Sequence, residues 1–384
     1  MKVIVNTNVI LEDGILWDSV VAIEKDQIVF VGNKDDLAIS SDAEIIDAKG
    51  QYTAPGLIDI HNHGSKDYLF IDEPLKCAEE FIKHGVTTVL PTLYCNLTEK
   101  QMLDGAEKIL KASKTGVGKI INGLYMEGPY MGGFGSNQNS ILWNCEIDKK
   151  EYKQVVDKLK DVARIWAIDP ARKGIEGFMQ YVKEQSPNAI FALGHSTATA
   201  RECKSVSKYG VKVQTHHGDS GKAKGFAQGT IGAGCDEYTL YNPDMYAEII
   251  CDQVGVHLPA DMIKMVVRTK GIEKVILISD SMPQSGDYKN NEEDGIAYGP
   301  DLNYDYEGHL AGSHLTLDNA CKNLMTHTGY GLCHAVRCAS LNPAKLLGVD
   351  NEVGSVEVGK TANLILIDDK FSVKKVMLKG DCVF

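Results

Sequence analysis

No uninterrupted apolar run in this 384-residue chain approaches the roughly 20 residues that a membrane-spanning helix needs, so no membrane partner is expected. The opening MKVIVNTNVI has no basic region followed by a long apolar segment and a small-residue cleavage site, so it does not read as an export signal. Positive charge is in deficit: 40 Lys and Arg stand against 52 Asp and Glu, for a net charge of −12. That balance argues against nucleic acid, whose phosphates call for clustered Lys and Arg. The ten cysteines are scattered, with no CxxC pair and no regular spacing. They predict a reducing cytoplasm in which most act as small buried hydrophobes. Internal repeats of solenoid or propeller length and low-complexity segments are also missing.

What is present is an ordinary globular composition, 43% hydrophobic and 24% charged, in a chain long enough for one large domain or two. The first fifty residues read as short strands (3–5, 20–24, 27–31 and 44–47) separated by turn residues such as Asp13-Gly14 and Gly32-Asn33. After Pro55-Gly56 the pattern changes. Eight apolar runs, at 57–60, 86–90, 120–126, 164–168, 190–193, 211–215, 247–251 and 274–279, alternate with amphipathic stretches such as 98–111, 149–160, 197–208 and 260–270. This predicts an α/β fold, a (β/α)8 TIM-like barrel, with only the Gly-rich region 217–246 lacking a clear helix. From Gly354 strands return in GSVEVGKTANLILID and FSVKKVMLKGDCVF. The expected organisation is a small β-sandwich domain from residues 1–54 and 349–384, flanking a barrel of residues 55–348.

Catalytic groups of such barrels gather at the C-terminal ends of the strands. His61 and His63 follow the first run, Glu127 ends INGLYMEG, His195 ends IFALGHS, His216 ends VKVQTHH and Asp280 ends KVILISD. Each has an ordinary structural reading. His61 and His63 suit two surface histidines, and Glu127 suits a helix cap or an arginine partner. His195 could stand at a helix start capped by Ser196 or Thr197, His216 and His217 could be a loop pair, and Asp280 could be a turn residue. Those readings do not explain why every one of these residues falls at a strand end. Two histidines two apart on an extended chain point the same way, and imidazoles with carboxylates suit zinc or a related divalent transition metal. Such an ion lowers the pKa of a bound water to about 7, and an adjacent aspartate can carry a proton to a leaving amine. Hydrolysis of an amide or related C–N bond is the reaction class this set would serve. No cysteine lies in a recognisable nucleophile setting.

The motifs PGLIDIHNHG, LYMEGPYM, LGHSTAT, QTHH, GVHL, LISDSMP and LAGSHLTLDNA occur in the order found in the amidohydrolase superfamily. They most closely resemble its N-acetylglucosamine-6-phosphate deacetylases, and the terminal strands resemble that superfamily's small β-sandwich. The resemblance implies that Glu127, His195 and His216 bind the catalytic metal and that Asp280 is the general acid/base. It also implies that His61 and His63 can hold a second ion. No lysine stands where other superfamily members carry a carbamylated one; Glu127 occupies that position. Asn137 or Gln138 would bind the acetyl oxygen, and Ala311-Gly312 falls in a substrate-wall motif. His257 matches a histidine that reaches phosphate across a dimer interface, so a homodimer is expected.

One segment departs from the family. Where relatives carry a THLFNAM-like run, this chain reads THHGDSGKAKG, so His217, Asp219 and Ser220 would face the substrate, with Lys222 and Lys224 offsetting the carboxylate. The expected reaction is deacetylation of a small-molecule N-acetylated amino-sugar phosphate, N-acetylglucosamine 6-phosphate first. N-acetylgalactosamine 6-phosphate, an unphosphorylated amino sugar or another small N-acyl compound are the alternatives. A non-catalytic scaffold is disfavoured because the ligands and Asp280 are all retained. His84, His309, His327 and His334 are expected to be structural or exposed, and Cys235 and Cys251 to be packing residues.

Overall fold

A computed structural model describes residues 1–133, 142–143, 147–221, 223, 227, 230–285 and 298–384. The chain begins with five strands, β1 (Lys2–Ile10), β2 (Ile15–Glu24), β3 (Gln27–Asn33), β4 (Glu44–Asp47) and β5 (Tyr52–Pro55). The next eight strands are β6 (Leu57–Asn62), β7 (Val86–Tyr94), β8 (Leu124–Glu127), β9 (Ala163–Ile168), β10 (Ile190–Leu193), β11 (Val211–Gln214), β12 (Tyr246–Ile250) and β13 (Val275–Ile278). A hairpin of β14 (Leu302–Tyr304) and β15 (Leu310–Ser313) follows, and the chain ends with β16 (Leu364–Ile367), β17 (Val373–Leu378) and β18 (Asp381–Cys382).

The two ends of the chain share one mixed sheet, in the order β18-β17-β16-β5-β1-β2-β3 with β4 beside β1. Alternation, shifted in β1 by irregularities between Ile4 and Val9, gives this sheet two apolar faces. Val3, Val5, Val20 and Ala22 pack on one side, while Ile4, Val9, Val21, Ile23, Leu364 and Leu366 pack on the other. A single residue, Gly56, separates β5 from the first barrel strand. A side chain there would fall 2.1 Å from Thr87 Oγ1, so the passage from sheet to barrel requires glycine.

The eight apolar runs expected to build a barrel all do so. Strands β6 to β13 pair in parallel in chain order, and nearly every residue in them is buried, as parallel strands covered on both faces must be. The barrel closes where β13 meets β6. The amide of Asp280 donates to His61 O at 2.9 Å and that of His63 to Ser281 O at 2.8 Å, which sets the HxH segment beside the aspartate.

Helices α1 (Pro74–Lys83), α2 (Glu99–Ala112), α3 (Lys149–Leu159), α4 (Ile175–Gln185), α5 (Ala200–Val206), α6 (Cys235–Tyr241), α7 (Ala260–Lys270), α8 (Leu317–Thr328), α9 (Leu332–Ala339) and α10 (Leu341–Leu347) cover the barrel. Two departures from expectation have local causes. Region 217–246 does contain a helix: α6, short and capped where the Gly234 amide donates to Glu237 Oε2 at 2.7 Å. Helix α5 starts after Thr199, whose hydroxyl and Glu202 form a reciprocal cap. The stretch between His195 and α5 is therefore loop, and Ser196 is not a cap; its hydroxyl donates to Asp169. No described helix is long and apolar enough to cross a membrane.

Phe178 of α4 fixes the helical layer near the site. It is fully buried, with its ring 5.2 Å from those of Tyr130 and Tyr152 and 5.7 Å from Trp166. Tyr130 follows Glu127 by three residues, so this cluster also holds the loop that leaves the site. Phe178→Ala is expected to lower stability by about 3–5 kcal/mol. A urea titration should show the loss as a lower midpoint at unchanged slope.

Candidate active site

Six side chains from five strand ends meet at the C-terminal mouth of the barrel. Glu127 lies at their centre and faces two pairs of imidazoles. Its Oε1 lies 2.9 Å from His195 Nε2 and 3.6 Å from His216 Nε2. Its Oε2 lies 3.3 Å from His63 Nε2 and 3.8 Å from His61 Nε2. Asp280 closes the group, with Oδ1 3.1 Å from His63 Nε2 and Oδ2 3.7 Å from His216 Nε2. Two of the backbones are unusual: His195 and Asp280 have φ of +43° and +48°. Left-handed conformations of non-glycine residues cost of order 1–3 kcal/mol and concentrate at functional sites.

The donor atoms fit a divalent cation. Three sets (His61, His63 and Glu127; His61, His216 and Asp280; Glu127, His195 and His216) bring ligand atoms within 4.8 Å of one another. Three of the rings are held from behind through Nδ1, which leaves Nε2 facing inward. His61 contacts Glu248 Oε2 at 3.4 Å, His63 contacts Thr92 O at 3.3 Å, and His216 contacts Asp219. His61 Nε2 is buried with no hydrogen-bond partner. A buried nitrogen left without a partner beside two carboxylates is what a ligand atom looks like before its ion arrives.

Without an ion, protons balance the charge. Burial alone would lower the His61 pKa, but the neighbouring carboxylates of Glu127, Glu248 and Asp280 raise it to about 10. His63, depressed by burial in the same way, is raised to about 9 by Asp280 and Glu127. Burial opposes ionisation of Glu127, yet the four imidazoles hold its carboxyl well below the usual range.

A cavity of about 480 Å³ opens above this cluster. Asp219, His257, Ala311 and Gly312, all expected to meet substrate, line it. His257 is fixed by Asp252, whose carboxylate accepts four backbone amides and contacts His257 Nδ1 at 3.1 Å. His257 thus belongs to the wall of this chain's own cavity. Gly312 has φ of +56°, and a side chain there would fall 2.7 Å from Asp280 O, so the wall depends on glycine at that point.

Other expected residues lie elsewhere. His217 is buried outside the cavity wall because Gln214 Oε1, 2.7 Å from its Nδ1, holds it in a network with Asp236 of α6. Ser220 is also buried outside the wall, and its carbonyl accepts from the Ser196 amide. Asn137, Gln138, Lys222 and Lys224 fall outside the described residues.

Several residues at the site were not anticipated. His309, expected to be structural or exposed, lines the cavity with Asp305, 3.2 Å from its Nδ1. Tyr94 and Met282 also line it. Glu248 lies beneath the cluster, and its signal was a carboxylate inside the apolar run YAEIIC.

The comparisons agree with this geometry. Residues 52–383 match the model of the amidohydrolase family. The chain is 28% identical over 351 residues to the N-acetylgalactosamine-6-phosphate deacetylase of Escherichia coli O157:H7, covering 88% of this chain and 89% of that one. It is 28% identical over 346 residues to the N-acetylglucosamine-6-phosphate deacetylase of Vibrio furnissii, covering 86% and 82%. In structure it is similar to the N-acetylglucosamine-6-phosphate deacetylase of Pasteurella multocida, with a TM-score of 0.86 over 99% of each chain at 22% identity. By the extent of the family match and by its barrel with ligand-bearing strand ends, the chain belongs to the amidohydrolase family.

Proposed function

We propose that this protein is a metal-dependent deacetylase of an N-acetylated amino-sugar phosphate, with N-acetylglucosamine 6-phosphate as the first candidate substrate. The observation that carries the reading is the convergence of Glu127, His61, His63, His195 and His216 on one buried point with Asp280 beside them. Glu127, His195 and His216 would hold one ion, and His61 and His63 with Glu127 a second. Zinc suits this donor set. A bound ion would supply Lewis-acid polarisation of the acetyl carbonyl and an acidified water.

Asp280 does the proton work. Its carboxylate takes the proton from the water whose oxygen attacks the acetyl carbon, then delivers it to the sugar nitrogen as the C–N bond breaks. Acetate and a free amine leave. In the metal-free protein His63, His61 and His216 keep Asp280 ionised against the cost of its burial, and a bound ion would supply positive charge in their place, in keeping with a base at the start of the cycle. Ala311, Gly312 and His257 would position the sugar. A homodimer in the cytoplasm is the assembly and compartment in keeping with this reading, as is the barrel of residues 55–348 acting as the catalytic domain.

A second reading, an unphosphorylated amino sugar or another small N-acyl compound, is favoured by Asp219 in the cavity wall. Among the described lining residues none is Lys or Arg, so a phosphate would meet only histidines as cationic partners. The E. coli relative's name makes N-acetylgalactosamine 6-phosphate a further candidate.

Acetate release across N-acetylhexosamines with and without 6-phosphate tests these readings together. Turnover of the phosphorylated sugars is expected to dominate, and equal turnover of the free sugars would reject the phosphate. Asp280→Asn is expected to lower kcat by about 10²–10⁴-fold; parental turnover in that variant would remove the assigned role.

Metal uptake should also depend on pH. The raised values of about 10 and 9 at His61 and His63 mean that both carry protons at neutral pH in the metal-free protein. Binding therefore releases protons, and apparent affinity falls as pH drops below about 9. Calorimetric titration in buffers of different ionisation enthalpy reads the number released, with one or more expected per ion at pH 7.

A further inference from the structure

Glu248 lies on β12, two strands from β6 in the sheet order, yet its side chain reaches His61 across the barrel interior. It is fully buried. One oxygen, Oε2, does all the bonding: it accepts from the Thr215 hydroxyl at 3.0 Å, lies 3.5 Å from the Tyr125 hydroxyl, which also contacts that of Thr215, and lies 3.4 Å from His61 Nδ1. Oε1 has no partner. The Tyr125 ring packs 4.6 Å from the His61 ring, which limits how the imidazole can turn.

A carboxylate oxygen only accepts, so the His61 nitrogen facing Glu248 must be the one bearing hydrogen. In the neutral imidazole that binds a cation there is one N–H, so with Nδ1 bearing it Nε2 is left as a lone pair. That nitrogen sits between Asp280 Oδ1 at 3.5 Å and Glu127 Oε2 at 3.8 Å. The opposite tautomer would put an N–H on the inner face and leave no lone pair there for a cation.

We propose that Glu248 is a positioning residue that fixes His61 in the Nδ1–H tautomer and thereby sets whether a cation occupies the His61–His63 position. The inference rests on the reading that these two histidines hold an ion. It adds a determinant of that ion's binding which touches neither substrate nor metal. Thr215 and Tyr125 keep Glu248 oriented as an acceptor. His63 and His216 are backed independently, by Thr92 O and by Asp219, so losing Glu248 should affect one position and spare the other.

Two measurements test this without reference to turnover. First, the full-length protein and its Glu248→Gln and Glu248→Ala variants are stripped and titrated with zinc against a chromophoric chelator. The parent should bind two equivalents with separable constants. Both variants should weaken one of them about 10–100-fold, in line with the loss of a group that orients a metal-binding histidine, and leave the other within about threefold of the parent. Folded variants with both constants unchanged overturn the proposal. Equal weakening of both constants also overturns it, since that would mark a general structural role.

Second, ¹⁵N-histidine spectra of the zinc-loaded parent, with His61 assigned through His61→Asn, read the tautomer directly and need no Glu248 variant to fold. Nδ1 protonated and Nε2 bare is expected; the reverse overturns the proposal. A parent that binds a single equivalent refutes the two-ion reading, whereas failure to release acetate refutes the substrate reading. Neither result would be mistaken for a wrong assignment of Glu248.

Discussion

The structure turns on the burial of the Glu127 carboxylate among four imidazoles. A carboxylate removed from water is unfavourable by several kcal/mol unless it is paired, and here all the pairing comes from one residue type on three other strands. The two oxygens divide the work, Oε1 toward His195 and His216 and Oε2 toward His63 and His61. Sequence neighbours could not deliver that arrangement. It needs strands more than a hundred residues apart to end at the same height, which a closed parallel barrel does by construction. The flanking sheet, built from both ends of the chain, then holds the first barrel strand in place through Gly56.

Strain appears where the barrel hands over to the site. His195 and Asp280 both adopt left-handed backbone, and both are anchored by main-chain hydrogen bonds. The Gly132 amide donates to His195 O at 2.6 Å, while the Asp280 amide and carbonyl bond His61 O and the Ser313 amide. The contacts that hold Asp280 in this conformation also close the barrel seam. A loosened seam would therefore move Asp280 relative to His61 and His63 together, which ties the stability of the fold to the geometry of the cluster.

Much of this was legible in the sequence, for physical reasons that also explain what was not. The eight apolar runs could be read because parallel strands buried on both faces must be continuously apolar. The cluster at the barrel mouth could be read because each polar residue interrupts such a run at its end. Helix α6 was hidden because it is held by an amide-to-Glu237 cap and Asp236 rather than by a long amphipathic stripe. The orientation of His217 was illegible because it follows from contacts with Gln214 and α6. Glu248 carried a signal of the same kind as Glu127, a carboxylate in an apolar run, but in the middle of its strand instead of at the end. Position alone directed attention to strand ends, whereas a buried charge anywhere along a barrel strand must have a partner.

The replacement of the family's THLFNAM-like run acquires a physical meaning from these contacts. Asp219 borders the substrate cavity, yet its carboxylate is engaged with His216 Nδ1. A carboxylate that accepts a hydrogen bond from an imidazole N–H presents less of its charge to the cavity than an unpaired one would. The objection that a carboxylate repels a phosphate at this position is thereby weakened. His257, raised above the usual imidazole value by Asp252 despite its burial, lies in the same wall. Besides the cluster, the cavity wall thus carries His257 and His309 together with Asp305 and the hydrogen-bonded Asp219. On the proposed reading, an amide hydrolysed at the cluster makes the same demands on Asp280 whichever of these prevails, so the chemistry and the choice of sugar would be set by separate groups of residues.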